Sequence, residues 1–357
     1  MTQGTPTLEP GRRRARRPTL AAVAERAGVS LKTASRVLNA EPNVAAGTRE
    51  RVQAAAHALG FRRNAAAADL ARGGAARLVG FVTGDLANPF YSALASGIER
   101  ELRGRGLQLL TASSDEDPAR ERQLTDELFE RRVGALVLTP ASGDHDALRE
   151  EQAAGLPVVL VDRPAPDVEA DTVVIDNRGG VRAAVRHLLE HGHRRIGLVG
   201  DESRLWTFRE RRAAFVAALA EADVADPERY VRDGAHDADG ARALVAELLA
   251  LDEPPTALVT ANNKITVGAL HALRDRSGAG GAPVALVGFD DFELADLLGV
   301  TVVGYDAVEM GRQAAALALA RAEDPTRAAQ LVVVPTRLVP RGSGETPPAG
   351  RRSGRST

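Results

Sequence analysis

Apolar positions along the chain keep two different rhythms. Between Thr19 and about Leu59 they recur every three or four residues, the period of amphipathic helices. Thr19 is placed to cap a first helix with Leu20, Val23, Ala24 and Ala27 on one face. Gly28 breaks it, Ser30 opens a second helix with Leu31, Ala34, Val37 and Leu38 as apolar positions, and Pro42 ends that unit. A third helix over about 46–59 stops at Gly60. Three short helices with a glycine turn between the first two predict a helix-turn-helix domain. Beyond residue 76 the rhythm changes to continuous apolar runs, at 78–82, 107–110, 135–138, 158–161, 196–199, 257–259 and 284–287. Amphipathic stretches such as 120–129, 181–189, 211–219 and 241–249 separate them. This alternation predicts α/β layers with parallel sheets and helices on both faces. So many strands fit two lobes better than one sheet, with the break near 171–177 and closing strands at 331–334 and 336–339.

The flanks carry no such period. Residues 1–17, rich in Thr, Pro, Gly and Arg, are expected to be disordered, as is a tail over 344–357. The expected organisation is a head over 18–62, a polar, Ala-rich hinge over 63–75, and a body over 76–343. Aromatics make up only 3% of the 357 residues, so the cores must be built from Ala, Val and Leu. There is no cysteine, which excludes disulfides and thiolate metal sites. No apolar run is long enough to cross a membrane, and the basic N-terminus lacks the apolar stretch of a signal peptide, so a cytoplasmic, nucleoid-associated protein is expected.

Charge adds to the picture what the overall balance of −2 conceals. Residues 1–75 hold thirteen Lys and Arg against five acids, a net of +8 that leaves −10 for the remainder. A basic head on an acidic body predicts that the head alone meets a polyanion. In the second helix Leu31, Lys32 and Arg36 stand opposite Ala34, Val37 and Leu38. An α-helix fits the major groove, where Lys32 and Arg36 suit guanine O6 and N7 and Leu31 suits a thymine methyl. Thr33, Ser35 and Asn39 offer short hydrogen bonds suited to phosphates.

The segment TLAAVAERAGVSLKTASRVLN at 19–39, with RERV at 49–52 and LGFR at 59–62, closely resembles the head of LacI-family regulators. The DLANPFY of 85–91, HGHRRIGLVG of 191–200, VGFDD of 287–291 and RGS of 341–343 extend the resemblance through almost the whole chain. It implies a two-lobed body like that of periplasmic sugar-binding proteins, and a homodimer reading a palindromic operator of roughly 14–20 base pairs. It further implies a hinge that folds on DNA, with Asn64 among its DNA contacts and Leu70 wedged into the minor groove. Two departures are visible: Arg63 replaces the usual Pro, and Asp69 puts a negative charge beside the wedge.

Ligands of open α/β sheets bind just past the carboxyl ends of strands. Asp85, Asn88 and Phe90 follow the first strand, and Asp162 follows the run at 158–161. Trp206, Phe208 and Arg211 follow the run at 196–199, Asn262 the run at 257–259, and Asp290 the run at 284–287. By resemblance Arg211, Asn262 and Asp290 match positions that hold ligand hydroxyls, while Asn263 stands where Asp is common. Such groups suit a polyol or sugar, and Phe90 and Trp206 suit stacking on its face. The expected function is a repressor controlled by a small-molecule effector, without cofactor or metal. His191 and His193 have no carboxylate or Cys nearby and read as a helix end capped by imidazole. The alternative is a sugar- or nucleoside-binding enzyme or binding protein with an idle head. No glycine-rich phosphate loop and no nucleophile elbow favours the enzyme.

Overall fold

A computed structural model describes residues 18–39, 41–61, 77–141 and 144–348. Two compact units divide between Ala76 and Arg77. The expected hinge, with Asn64, Asp69 and Leu70, lies outside the described residues, as does the segment 1–17.

The first unit consists of α1 (Leu20–Ala27), α2 (Leu31–Leu38) and α3 (Ala46–Leu59). Thr19 Oγ1 accepts from Ala22 N at 3.2 Å and Ser30 Oγ accepts from Thr33 N at 3.1 Å, so both expected caps form. Gly28 and Gly60 end α1 and α3 with φ of 65° and 63°, the left-handed conformation in which glycine carries no Cβ penalty. Val23, Ala34, Val37 and Val52, with small alanines, form its core.

The second unit alternates strands and helices through β1 (Leu78–Thr83), α4 (Pro89–Arg103), β2 (Gln108–Ser113), α5 (Pro118–Glu130), β3 (Ala135–Leu138), α6 (Asp146–Ala153), β4 (Val158–Val161) and β5 (Asp171–Ile175). It continues through α7 (Asn177–Glu190), β6 (Ile196–Val199), α8 (Trp206–Glu221), β7 (Val231–Arg232), α9 (Ala238–Leu249), β8 (Ala257–Thr260), α10 (Asn263–Gly278), β9 (Ala285–Phe289) and β10 (Thr301–Gly304). Then come α11 (Ala307–Glu323), β11 (Leu331–Val334) and β12 (Arg337–Val339). Two six-stranded sheets result, ordered β11-β5-β4-β3-β1-β2 and β12-β10-β9-β8-β6-β7. The orders are the same apart from which closing strand each receives. All pairings are parallel except β10 with β12.

The chain passes between lobes three times. It leaves the first sheet after β5, returns from β10 to α11, which packs on α4 and the first sheet, and crosses again from β11 to β12. The break expected over 171–177 is therefore narrower, because 171–175 is itself a strand of the first sheet. At the α4–α11 crossing Gly97 and Gly311 bring the backbones together; a Cβ on either would collide with a carbonyl oxygen of the other helix. The expected tail is also corrected: order continues past Ser343. Gly344 N donates to Thr301 Oγ1 at 3.2 Å, Glu345 Oε2 accepts from Thr301 Oγ1 at 2.9 Å, and His193 Nε2 lies 2.8 Å from Thr346 O. His191 Nδ1 lies 2.8 Å from His187 O, at the carboxyl end of α7. Among the described residues no helix is long and apolar enough to cross a membrane, and no His, Cys, Asp or Glu cluster could hold a metal ion.

Candidate functional site

In the head, α2 buries Ala34 and Val37 and turns Leu31 and Lys32 outward, Leu31 being 54% exposed despite its apolar side chain. The other candidate contacts carry local duties. Thr33 shares a hydrogen bond with the capping Ser30, Oγ to Oγ1 at 2.8 Å. Asn39 is the C-cap residue of α2 and its Nδ2 donates to Ser35 Oγ at 3.4 Å. Arg36 Nε donates to Glu41 Oε2 at 3.2 Å and its Nη2 to Pro42 O at 3.3 Å. That ion pair is half exposed, and such pairs contribute little, so a stronger acceptor can take the guanidinium.

In the body, a cleft opens past the carboxyl ends of both sheets, where parallel topology places ligand sites. Seven of the eight expected residues line it: Asp85, Asn88 and Phe90 after β1, Asp162 after β4, Arg211 on α8, and Asn262 and Asp290 after β8 and β9. Trp206, half buried at the start of α8, does not line it, whereas Leu205, Thr207 and Phe208 do. Asp162 and Asp290 occupy matching positions, each after the fourth strand of its sheet in chain order. Their φ values are 70° and 69°, and their N–H groups donate to Val173 O and Val303 O at 2.9 and 3.1 Å. Left-handed backbone at a non-glycine residue is sparsely populated, and such outliers gather at functional sites.

Several expected ligand contacts already hold protein groups. Asn88 Oδ1 caps α4 through Phe90 N at 3.0 Å, and Asn262 Oδ1 caps α10 through Ile265 N at 2.8 Å. Arg211 is buried, donates from Nε to Asn177 Oδ1 at 2.7 Å and from Nη1 to Ala261 O, and lies 3.9 Å over the Phe289 ring. Asp290 accepts from Tyr305 OH at 2.7 Å and from Asn263 N at 3.3 Å.

Sequence reasoning missed the floor of the cleft. Arg163 donates through both terminal nitrogens to Glu116, each at 2.7 Å, and from Nη2 to Tyr91 OH at 3.1 Å. Tyr91 OH in turn donates to Asp162 Oδ2 at 3.3 Å. Burial, with the Asp162 charge, pushes the Tyr91 hydroxyl well above its usual range, so it stays a proton donor. Gly84 must lack a side chain because a Cβ there would collide with the Glu116 carboxylate. Glu116 went unnoticed because polar Thr111 and Ser113 hid the end of β2. Tyr305 follows β10, a four-residue strand whose polar opening residue Thr301 obscures its pattern in the sequence.

Direct bridges span the cleft. Lys264 Nζ donates to Asp85 Oδ2 at 2.9 Å, Asn263 Nδ2 to Asn88 Oδ1 at 2.8 Å, and Arg204 Nη2 to Glu116 O at 2.9 Å. Burial pushes the Asp85 carboxyl up, but the hydrogen bonds from Lys264 and Ala87 N and the Lys264 charge hold it below its usual value. With these bridges in place the cavity measures about 50 Å³, room for a few waters and far below the roughly 300 Å³ where small-molecule sites begin.

A helix-turn-helix head joined to a two-lobed α/β body with a polar interlobe cleft defines a ligand-responsive class of DNA-binding regulator. Residues 19–64 match the family described as "Bacterial regulatory proteins, lacI family", and residues 185–344 match the "Periplasmic binding protein-like domain". The chain is 34% identical over 334 residues to the HTH-type transcriptional regulator GalR of Salmonella typhimurium, covering 92% of this chain and 96% of that one. Among solved structures, the transcriptional regulator CelR–cellobiose complex aligns at 30% identity with a TM-score of 0.68, over 92% of this chain and all of the other. The lac repressor dimer bound to operator and the anti-inducer ONPF aligns at 25% identity with a TM-score of 0.79, over 93% of this chain and 100% of that one. The chain belongs to the LacI family. It is a DNA-binding transcriptional regulator and not an enzyme.

Proposed function

We propose that this regulator is a repressor: two copies grip a palindromic operator, and a sugar-class effector in the interlobe cleft sets operator affinity. Leu31, Lys32 and Arg36 of α2 read base edges, Thr33, Ser35 and Asn39 position the helix on phosphates, Asn64 contacts the DNA, and Leu70 wedges into the minor groove. The effector touches Asp85, Asn88, Phe90, Asp162, Arg211, Asn262 and Asp290, and Trp206 reports on it from the rim. The body shares its compartment with DNA, in the cytoplasm at the nucleoid. The observation that carries this reading is the cleft itself. Carboxylates, amides and hydroxyls converge there from the strand ends of both lobes and bond across it, leaving about 50 Å³. A ring cannot enter without exchanging those bridges, so binding and lobe geometry are one event. Differential affinity for the two geometries then shifts operator occupancy. The dimeric, operator-bound state of the lac repressor neighbour and the cellobiose in the CelR neighbour support the same arrangement.

The test is fluorescence anisotropy against a library of palindromes. The full chain should prefer one palindrome over random DNA, and Arg36→Ala should cost about 1–3 kcal/mol and relax specificity at one position of each half-site. A chain that binds all duplexes equally, or an Arg36→Ala variant with unchanged preference, overturns the reading.

A further inference from the structure

The charge inside the cleft restricts what the effector can be. Five carboxylates line it, from Asp85, Glu116, Asp162, Asp201 and Asp290. Against them stand three permanent cations, Arg163, Arg211 and Lys264, and the imidazole of His236. Each cation is already engaged. Arg163 is held by Glu116 through two bonds of 2.7 Å, and Lys264 by Asp85 at 2.9 Å. Arg211 is held by the Asn177 amide, the Ala261 carbonyl and the Phe289 face.

The carboxylates are not matched in return. Asp162 has Arg163 Nη2 only at 3.4 Å, the longest of that cluster's ion-pair distances. Among the described residues neither Asp201 nor Asp290 forms an ion pair with lysine or arginine. Asp201 accepts from Asn262 Nδ2 at 3.2 Å with His236 Nδ1 at 3.5 Å, and Asp290 accepts from Tyr305 OH and Asn263 N. Donors to these two are therefore neutral or weakly charged, and both carboxylates keep lone pairs for further hydrogen bonds.

We propose that the cleft selects an effector without acid groups, an uncharged polyhydroxylated ring, and excludes its phosphorylated or carboxylated derivatives. Hydroxyl groups donate to Asp201 and Asp290 and complete their hydrogen bonding without adding charge. A phosphate or carboxylate would have to share Arg211 with the Asn177 amide and Ala261 carbonyl, or pull Lys264 or Arg163 from its own carboxylate and leave that group buried and unpaired, while lying against the excess negative charge of Asp201 and Asp290. Burial already holds the Asp201 carboxyl above its usual range.

This inference rests on the sugar-effector reading, and the experiment separates the two. The full chain is titrated with glucose, galactose, fructose, ribose and cellobiose, each beside its phosphate monoester and, for the hexoses, the corresponding uronic acid. Binding is read by calorimetry and by fluorescence of Trp206, the single tryptophan of the chain. Every sugar that binds should exceed its acidic derivative by at least about tenfold in affinity. In Asp201→Asn and Asp290→Asn chains, with cooperative melting confirmed, that ratio should shrink, which simple crowding by the phosphate would not cause. A phosphate ester that binds more tightly than its parent, or a ratio unmoved in both variants, overturns this inference and leaves the sugar reading standing. A panel in which no compound binds overturns the sugar reading and this inference with it.

Discussion

The guanidinium of Arg163 is 4% exposed and faces Glu116, itself 6% exposed, so the pair exists only as a pair. Its mutual attraction offsets a large desolvation cost, and removing one partner strands the other charge in the interior. Arg163→Met should therefore lower stability by about 3–5 kcal/mol in denaturant unfolding, and adding Glu116→Gln should recover part of the loss. Equal stability of Arg163→Met and the parent would contradict the buried pair. At this scale the sequence showed residues of both lobes but not the floor of the cleft. Asp162 and Asp290 were legible because each ends an uninterrupted apolar run, and parallel topology puts such residues at a ligand site. Glu116 was not, because it lies beyond a strand with polar residues in its last half. Asn88 and Asn262 were legible as polar groups past strand ends, but the sequence cannot tell a cap from a ligand contact when one amide serves both.

Between β3 and α6 the chain is fastened by a buried histidine. His145 Nδ1 lies 2.9 Å from Asp167 Oδ1 and its Nε2 3.3 Å from Glu121 Oε1, while Glu121 also accepts from Ala141 N. Ala141 O accepts from Arg204 of the second lobe at 3.3 Å, so this fastening bears on the cleft. Burial pushes the imidazole down, but the hydrogen bonds and charges of Glu121 and Asp167 raise it above its ordinary value of 6.5. A raised folded value means the charged pair stabilises fully below 6.5 and is lost as pH climbs through the folded value. His145→Gln should thus cost about 1.5–3 kcal/mol at the acid end and progressively less toward alkaline pH. The difference between variant and parent isolates this group from His193, which burial pushes the other way. A cost that does not change with pH would contradict the assignment. The helices of the head were readable because Thr19, Ser30, Gly28 and Gly60 punctuate them. Strands β5, β7 and β10 were not: Asp171 and Thr301 open their strands with polar side chains, and β7 has two residues.

Over the whole body the two sheets repeat one strand order, and three crossings tie the lobes. Among the bonds that bridge the cleft in this structure are Asp85 with Lys264 and Asn88 with Asn263, residues about half the chain apart that no local pattern connects. This is why the fold was largely legible and the closed cleft was not. If the cleft governs the head, releasing those bridges must change DNA binding although neither lies in the head. The decisive measurement is operator affinity of the parent and of an Lys264→Met, Asn263→Ala chain, by anisotropy at fixed ionic strength with no sugar added. Coupling of about 1–3 kcal/mol predicts a roughly 5- to 150-fold difference, with preference for the palindrome retained. Identical operator affinities in two chains that both fold would contradict control of the head by the cleft.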